Sequence, residues 1–227
     1  MIVDLAHAVA ASPTAGATGT LLSGSSPAAG RDLHLHLFLQ RCREAFQAAS
    51  ARPAAADDVA ARIFAALATA GDASGAPAPA RVPACAHLPA ALATASAGPG
   101  AIPALADALQ ALSPRLAWYR RAGSQLLPGP FHDGHASAVV KGPGGLEQRD
   151  DVKVGLSLMA PQVRYPDHQH PPEEIYVVLT PGQWRQRDGR WHEPGAGGIV
   201  HNPPGIVHAM RSGKSPLLAV WFLWLGP

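Results

Sequence analysis

The stretch His168-Gln-His170-Pro-Pro-Glu-Glu174 puts two imidazoles and a carboxylate close together, and a third imidazole, His208, follows the turn-forming run Pro203-Pro204-Gly205. Histidines with one carboxylate are the ligand set of a catalytic divalent metal, and such a set leaves coordination positions open for water or substrate. On an extended segment, residues two apart leave the same face, so His168 and His170 point together and Glu174 shares their parity. Tyr176, two residues beyond Glu174, follows it onto that face. The spacing therefore predicts a metal held by His168, His170, Glu174 and His208 with a phenol beside it, an arrangement for chemistry on a small metal-bound molecule.

Positioning these side chains requires strands that close on one another. From about Leu116 the chain reads as short strands. Val152–Met159 alternates, with Val152, Val154, Leu156 and Leu158 on one face, and Glu174–Thr180 is β-branched and aromatic. Segments 183–187, 198–202, 207–211 and 217–225 follow, separated by Pro181-Gly182, Asp188-Gly189, Pro194-Gly195, Pro203-Pro204-Gly205 and Ser212-Gly213. Many short strands with regular turn signals predict an antiparallel barrel or sandwich. His208 then begins a late strand, and closure of the barrel brings it to the earlier histidines.

Residues 1–115 have a different character. Helices are predicted over 32–51, with apolar positions Leu33, Leu37, Leu39, Cys42, Phe46 and Ala49, over 57–70, with acids at its start and Gly71 past its end, and over 102–112, with Pro103 in its first turn. A shorter helix fits 87–97 inside the Pro-, Ala-, Ser- and Gly-rich stretch 71–100, while 11–30 reads as loop. The division predicted is a helical extension, 1–115, and a β-barrel, 116–227, giving an α+β, mainly β chain.

The 227 residues carry a hydrophobic fraction of 47% and a net charge of +2, enough for a core and too little charge for an electrostatic partner. Although the pI is 8.7, there is no dense Lys/Arg patch, which argues against nucleic acid. No leader pattern opens the chain, and the apolar run 217–225 is too short to span a bilayer, so a soluble, cytoplasmic protein without membrane contact is expected. Cys42 and Cys85 read as two idle thiols, with a disulfide between them as the alternative.

These residues resemble the cupin family. His168, His170, Glu174 and Gly182 follow its first motif, and Gly197, Pro203, Gly205 and His208 its second. Ser212 stands where the family pattern has Asn, and Gln162 where it has Gly. The fold implied for about 116–227 is an antiparallel double-stranded β-helix, or jelly-roll barrel. The longer string Tyr165-Pro-Asp-His168-Gln-His170-Pro-Pro-Glu-Glu174-Ile-Tyr176, with His208-Ala-Met-Arg211 and the terminal Trp, resembles the cupin-type dimethylsulfoniopropionate lyases, which also carry a helical extension before the barrel.

That resemblance implies a metal-dependent carbon–sulfur lyase that turns the sulfonium propionate into dimethyl sulfide and acrylate. One divalent ion, Fe, Mn, Zn, Ni or Co, would bind the substrate carboxylate and acidify its α-CH2, and Tyr176 would take the α-proton. Tyr165 would orient the substrate. The sulfonium is a soft cation suited to aromatic faces, with Tyr165, Trp184, Trp221 and Trp224 as candidates. Core packing is the alternative for each tryptophan, and Trp221 and Trp224, three apart, face opposite ways on a regular strand. A homodimer is expected from the resemblance alone. The ligand set equally permits a cupin dioxygenase or isomerase acting on another small carboxylate, or a non-enzymatic cupin that binds a metabolite. His201 reads as a neighbour of the site, while His132, His135 and His192 read as ordinary loop residues. His34 and His36 fall on different helix faces. Lys141 and Arg211 read as solvated, with pairing to a carboxylate substrate as the alternative for each.

Overall fold

The computed structural model describes residues 3–4, 32–50, 52–127 and 129–226. The 11–30 segment lies outside them. In chain order the elements are β1 (Val3–Asp4), α1 (Leu33–Ala48), α2 (Ala55–Leu67), α3 (Leu88–Ser96), α4 (Ile102–Leu112), β2 (Trp118–Tyr119), α5 (Phe131–Gly134), β3 (His135–Lys141), β4 (Val152–Met159), β5 (Arg164–Gln169), β6 (Glu173–Val178), β7 (Gln183–Gln186), β8 (Ile199–Asn202), β9 (His208–Arg211) and β10 (Leu217–Trp224).

The strands form two sheets, ordered β1-β5-β9-β7 and β2-β3-β4-β10-β6-β8, antiparallel except where β1 joins β5. Between them lies one apolar cluster that includes Met159, Tyr176, Trp184, Met210 and Trp221. A second cluster covers the outer face of the six-stranded sheet, where α1–α4 bury their apolar stripes against Val154, Leu156, Ile175, Val220 and Phe222. Strand β4 thus has both faces buried. The side marked by its alternation, Val152 to Leu158, packs on the helices, and the residues between, Gly155, Ser157 and Met159, turn into the barrel.

The helices start for local reasons. Asp32 caps α1, its carboxylate accepting from the Leu35 N–H at 3.0 Å, and Asp57 and Asp58 sit in the first turn of α2, where the helix dipole favours negative charge. The buried stripe of α1 is Leu35, Phe38, Leu39, Cys42 and Phe46, whereas Leu33, expected on the apolar side, is 72% exposed. Helix α2 ends at Leu67, three residues short of the expected end, and α4 covers the expected 102–112. The helical half, which is Ala-rich, lies against the outer sheet face, and no described helix lines the barrel cavity. Cys42 and Cys85 are both buried and unbonded. Among the described residues no helix is long and apolar enough to cross a membrane.

Lys141 departs most from expectation. Its side chain is fully buried, its ammonium donating to Glu147 at 2.7 Å and to the Thr69 carbonyl at 2.8 Å, while Glu147 also accepts from the Gly71 N–H. This knot ties the 67–72 segment after α2 to the end of β3. Removing one partner leaves the other charge buried, so Lys141→Met is expected to lower the unfolding free energy by about 3–5 kcal/mol, read from the urea midpoint.

Candidate functional site

The register of the sheets brings His168, His170, Glu174 and His208 together between them. His168 on β5 pairs with His208 on β9, and Glu174 on β6 pairs with Asn202 on β8. The Gly205 N–H donates to the His170 carbonyl at 2.9 Å, tying the turn before His208 to the segment that carries His170. Gly205 holds φ +67°, a left-handed turn that glycine adopts without strain. At Gln162, where the cupin pattern has glycine, the backbone is also left-handed, with φ +59°.

The ligand atoms of His170, Glu174 and His208 all lie within 4.8 Å of one another, and all three residues are buried. Oε2 of Glu174 is 3.4 Å from Nε2 of His170 and 3.3 Å from Nε2 of His208. The Nδ1–H groups of His168, His170 and His208 donate to the carbonyls of Pro166, Pro172 and Ile206 at 2.9, 2.9 and 3.0 Å. Such outer bonds fix the ring orientation and leave Nε2 as the lone-pair atom. Nε2 of His208 is buried without a hydrogen-bond partner, as expected of a nitrogen built to bind a cation. The donor set therefore fits a divalent metal.

His168 stands beside this group rather than within it, its ring tilted between those of His208 (centroids 4.0 Å apart) and Tyr165 (4.3 Å). Asn202, not singled out from the sequence, is fully buried. It donates to Oε2 of Glu174 at 2.7 Å and accepts from Gln186. Its only sequence signal is its place just before Pro203-Pro204.

Burial alone would raise the Glu174 carboxyl, but His170 and then His208 hold it well below the usual carboxylate range. Burial depresses His170, yet Glu174 overcomes this and its pKa sits above the ordinary value. His168, buried and beside His208, is pushed well below its ordinary value and is neutral. Burial, then Glu174, raises the Tyr176 phenol well above its usual value.

The cavity, about 90 Å³, takes Tyr165, His168, His170, Glu174, Tyr176 and Trp221 in its lining. Trp184 lies in the apolar layer at 6.2 Å from the Tyr176 ring, outside this lining. Trp224, on the other face of β10, packs on the helix side under the guanidinium of Arg62, so it does not reach the cavity. His201 also faces that way, bonded to Glu173 at 2.8 Å. His135 is not a loop residue. It starts β3, is fully buried between Phe131 and Tyr165, and burial, then Arg121, lowers its pKa to about 3. Arg211 is not simply solvated, since it stacks on Trp191 at 4.3 Å on the outer side of the smaller sheet.

Two facing sheets with a His/Glu cluster on their internal cavity define a cupin barrel with a metal-type donor set. More narrowly, the chain belongs to the dimethylsulfoniopropionate lyase family, whose model matches residues 55–219. The dimethylsulfoniopropionate lyase DddQ of Ruegeria pomeroyi is 32% identical over 126 residues, which are 54% of this chain and 61% of that protein. A putative dimethylsulfoniopropionate lyase, DddL, of Cereibacter sphaeroides is 28% identical over 127 residues, 56% of this chain and 53% of that protein. The matches thus span between half and two thirds of these curated relatives. The crystal structure of the Ruegeria pomeroyi enzyme covers 86% of this chain and 92% of its own with a TM-score of 0.63 at 23% identity, a likeness of fold. A structure reported for the lyases RdDddP and RnDddQII gives a TM-score of 0.65 at 21% identity, covering 88% and 94%.

Proposed function

We propose that the protein is a metal-dependent lyase that cleaves dimethylsulfoniopropionate by β-elimination to dimethyl sulfide and acrylate. The observation that carries this reading is the Tyr176 phenol on the cavity wall beside Glu174, the carboxylate that His170 and His208 share. His170, Glu174 and His208 would hold the divalent ion, with Fe, Mn, Zn, Ni and Co all suited to such nitrogen and oxygen donors. When bound, it supplies positive charge that steadies the substrate carboxylate, acidifies the adjacent CH2 and lowers the proton affinity of a neighbouring phenol.

With its own proton first lost to water, which the charge of a bound ion would favour, Tyr176 would take the α-proton onto its phenolate oxygen. The released C–H pair becomes the C=C bond of acrylate, the C–S bond breaks, and sulfur leaves with the bonding pair as neutral dimethyl sulfide. Electrons balance within the substrate, so no redox partner is needed. Tyr165, whose ring lies under the Arg121 guanidinium at 5.4 Å, orients the substrate from the neighbouring wall.

Trp221 offers the aromatic face for the sulfonium. A Cβ on Gly155 would lie 2.2 Å from its ring, so the indole rests directly on the bare strand. A desolvated cation–π contact contributes up to about 2 kcal/mol. Trp221→Ala is therefore expected to raise KM roughly tenfold with a smaller change in kcat, and Gly155→Ala, which must displace the same ring, to raise it in the same direction. Trp224→Ala leaves KM near the wild-type value. Steady-state kinetics on the three variants checks this.

The function itself is tested by giving the purified protein, loaded in turn with each of the five metals, dimethylsulfoniopropionate and measuring headspace dimethyl sulfide and acrylate by NMR. Release of both in equal amounts is the expected result. No release with any metal overturns the substrate, and oxygen uptake on a panel of short carboxylates would point to a dioxygenase instead.

A further inference from the structure

The outer face of the smaller sheet gathers charge of one sign. Arg164 on β5 and Arg211 on β9 are register partners, and Gln183 on β7 is the next partner in the same row. Like charges directly opposite one another on a sheet face repel. Here both guanidiniums, together with that of Arg185, converge on one indole, at 5.8, 4.3 and 5.2 Å from the Trp191 ring for Arg164, Arg211 and Arg185. The three arginines are scattered in the sequence, and only strand pairing collects them. Asp167 pairs with both Arg164 and Arg185, whereas among the described residues no acid pairs with Arg211. Arg211 is nonetheless fixed, its Nε donating to Oε1 of Gln183 and its guanidinium face resting on Trp191.

Arg211 lines an open groove of about 480 Å³, which Arg164, Gln183, Glu193, Lys214 and Ser215 also line. No residue of this groove lines the cavity around Glu174. Arg164, Arg185, Arg211 and Lys214 stand here against two carboxylates, Asp167 and Glu193, and Glu193 is itself bonded to the Gln183 amide. The excess of two positive charges matches a phosphate group, which carries about −1.5 to −2 near neutral pH. A planar guanidinium held on an aromatic face offers its remaining N–H groups as a fork suited to phosphate oxygens. We propose that this groove is a second ligand site, which takes the phosphate group of a small phosphate monoester, with Arg211 as the fork and Lys214 as the second charge. The like-charge row across β5 and β9 is then the cost of holding a dianion, and the groove extends beyond the arginines to accommodate the rest of the ester.

The test is binding, read by calorimetry at fixed ionic strength on the full chain, both metal-stripped and zinc-loaded. The probes are glycerol 3-phosphate, inorganic phosphate and, as a singly charged control, acetate. Both phosphates are expected to bind with a Kd of roughly 1 mM or tighter, and acetate far more weakly. Arg211→Gln is expected to weaken both phosphates about tenfold or more, and Arg211→Lys to recover only part of the loss, since an ammonium lacks the fork. Glu193→Gln keeps a partner for Gln183 and removes the opposing charge, so it should tighten both several-fold, a gain that a damaged fold does not produce. Arg81→Gln, the same charge change at an exposed position outside the groove, should leave the affinity unchanged. Wild-type affinity in Arg211→Gln, an equal loss in Arg81→Gln, or no saturable binding of either phosphate overturns the site. Binding that disappears on stripping the metal also overturns it, by placing the phosphate at the His/Glu cluster. No groove residue takes part in the elimination, so failure of the lyase assay and failure of this site are separate results.

Discussion

Tyr176→Phe is expected to lower kcat for dimethyl sulfide release by about 10²–10⁴-fold, the range a positioned general base contributes. The substitution removes one oxygen and keeps the ring that packs in the barrel layer beside Trp184 and against β10. Stability and metal content should therefore stay near wild type, and KM should move little. Burial, then the Glu174 charge, holds the proton on the phenol, so Tyr176 acts as a base only after that proton is lost. Loss of solvent-deuterium exchange at the substrate α-carbon, together with the fall in kcat, would separate a lost base from a misplaced substrate. A Tyr176→Phe protein that keeps full activity leaves the elimination without its base and sinks the assignment.

Where the chain advertises itself in sequence, it does so through pattern and punctuation. Helix 102–112 and strand 152–159 were readable because proline and period mark them, and the strands after Glu173 because Pro-Gly and Asp-Gly turns separate them. Strand β3 was not readable, for it is buried on both faces and built from His, Ala, Ser and Val, so no alternation betrays it. His135 was misplaced for the same reason. Parity put His168 and His170 together correctly as neighbours, but β5 ends at Gln169, its pairing with β9 shifts between Tyr165 and His168, and His170 lies beyond the strand. Parity across such an irregularity does not determine which ring meets Glu174. Asn202 was invisible because its importance comes from a cross-strand register with Glu174, a long-range fact that no local spacing records.

The second large effect concerns the cluster itself. His208→Ala is expected to lower metal affinity by well over 100-fold, more than the 10–100-fold that loss of an outer-shell partner usually costs. Activity should fall with it and should not return when metal is added after chelation. Wild type, stripped the same way, should recover. The reason lies in the geometry: Nε2 of His208 is buried with no hydrogen-bond partner, 3.3 Å from Glu174, and no other described side chain stands ready to replace it in the group with His170. His168, its ring centroid 4.0 Å away, lies outside the group, and taking the vacated position would require β5 to shift. Asn202→Ala, which frees Glu174 from one of its donors, should give the milder outer-shell loss. Metal content by elemental analysis beside kcat decides the matter. Tyr176→Phe should be inactive with metal retained, and His208→Ala inactive with metal lost. If His208→Ala keeps its metal, the ion is held elsewhere, and the chemistry assigned to this cavity must be withdrawn.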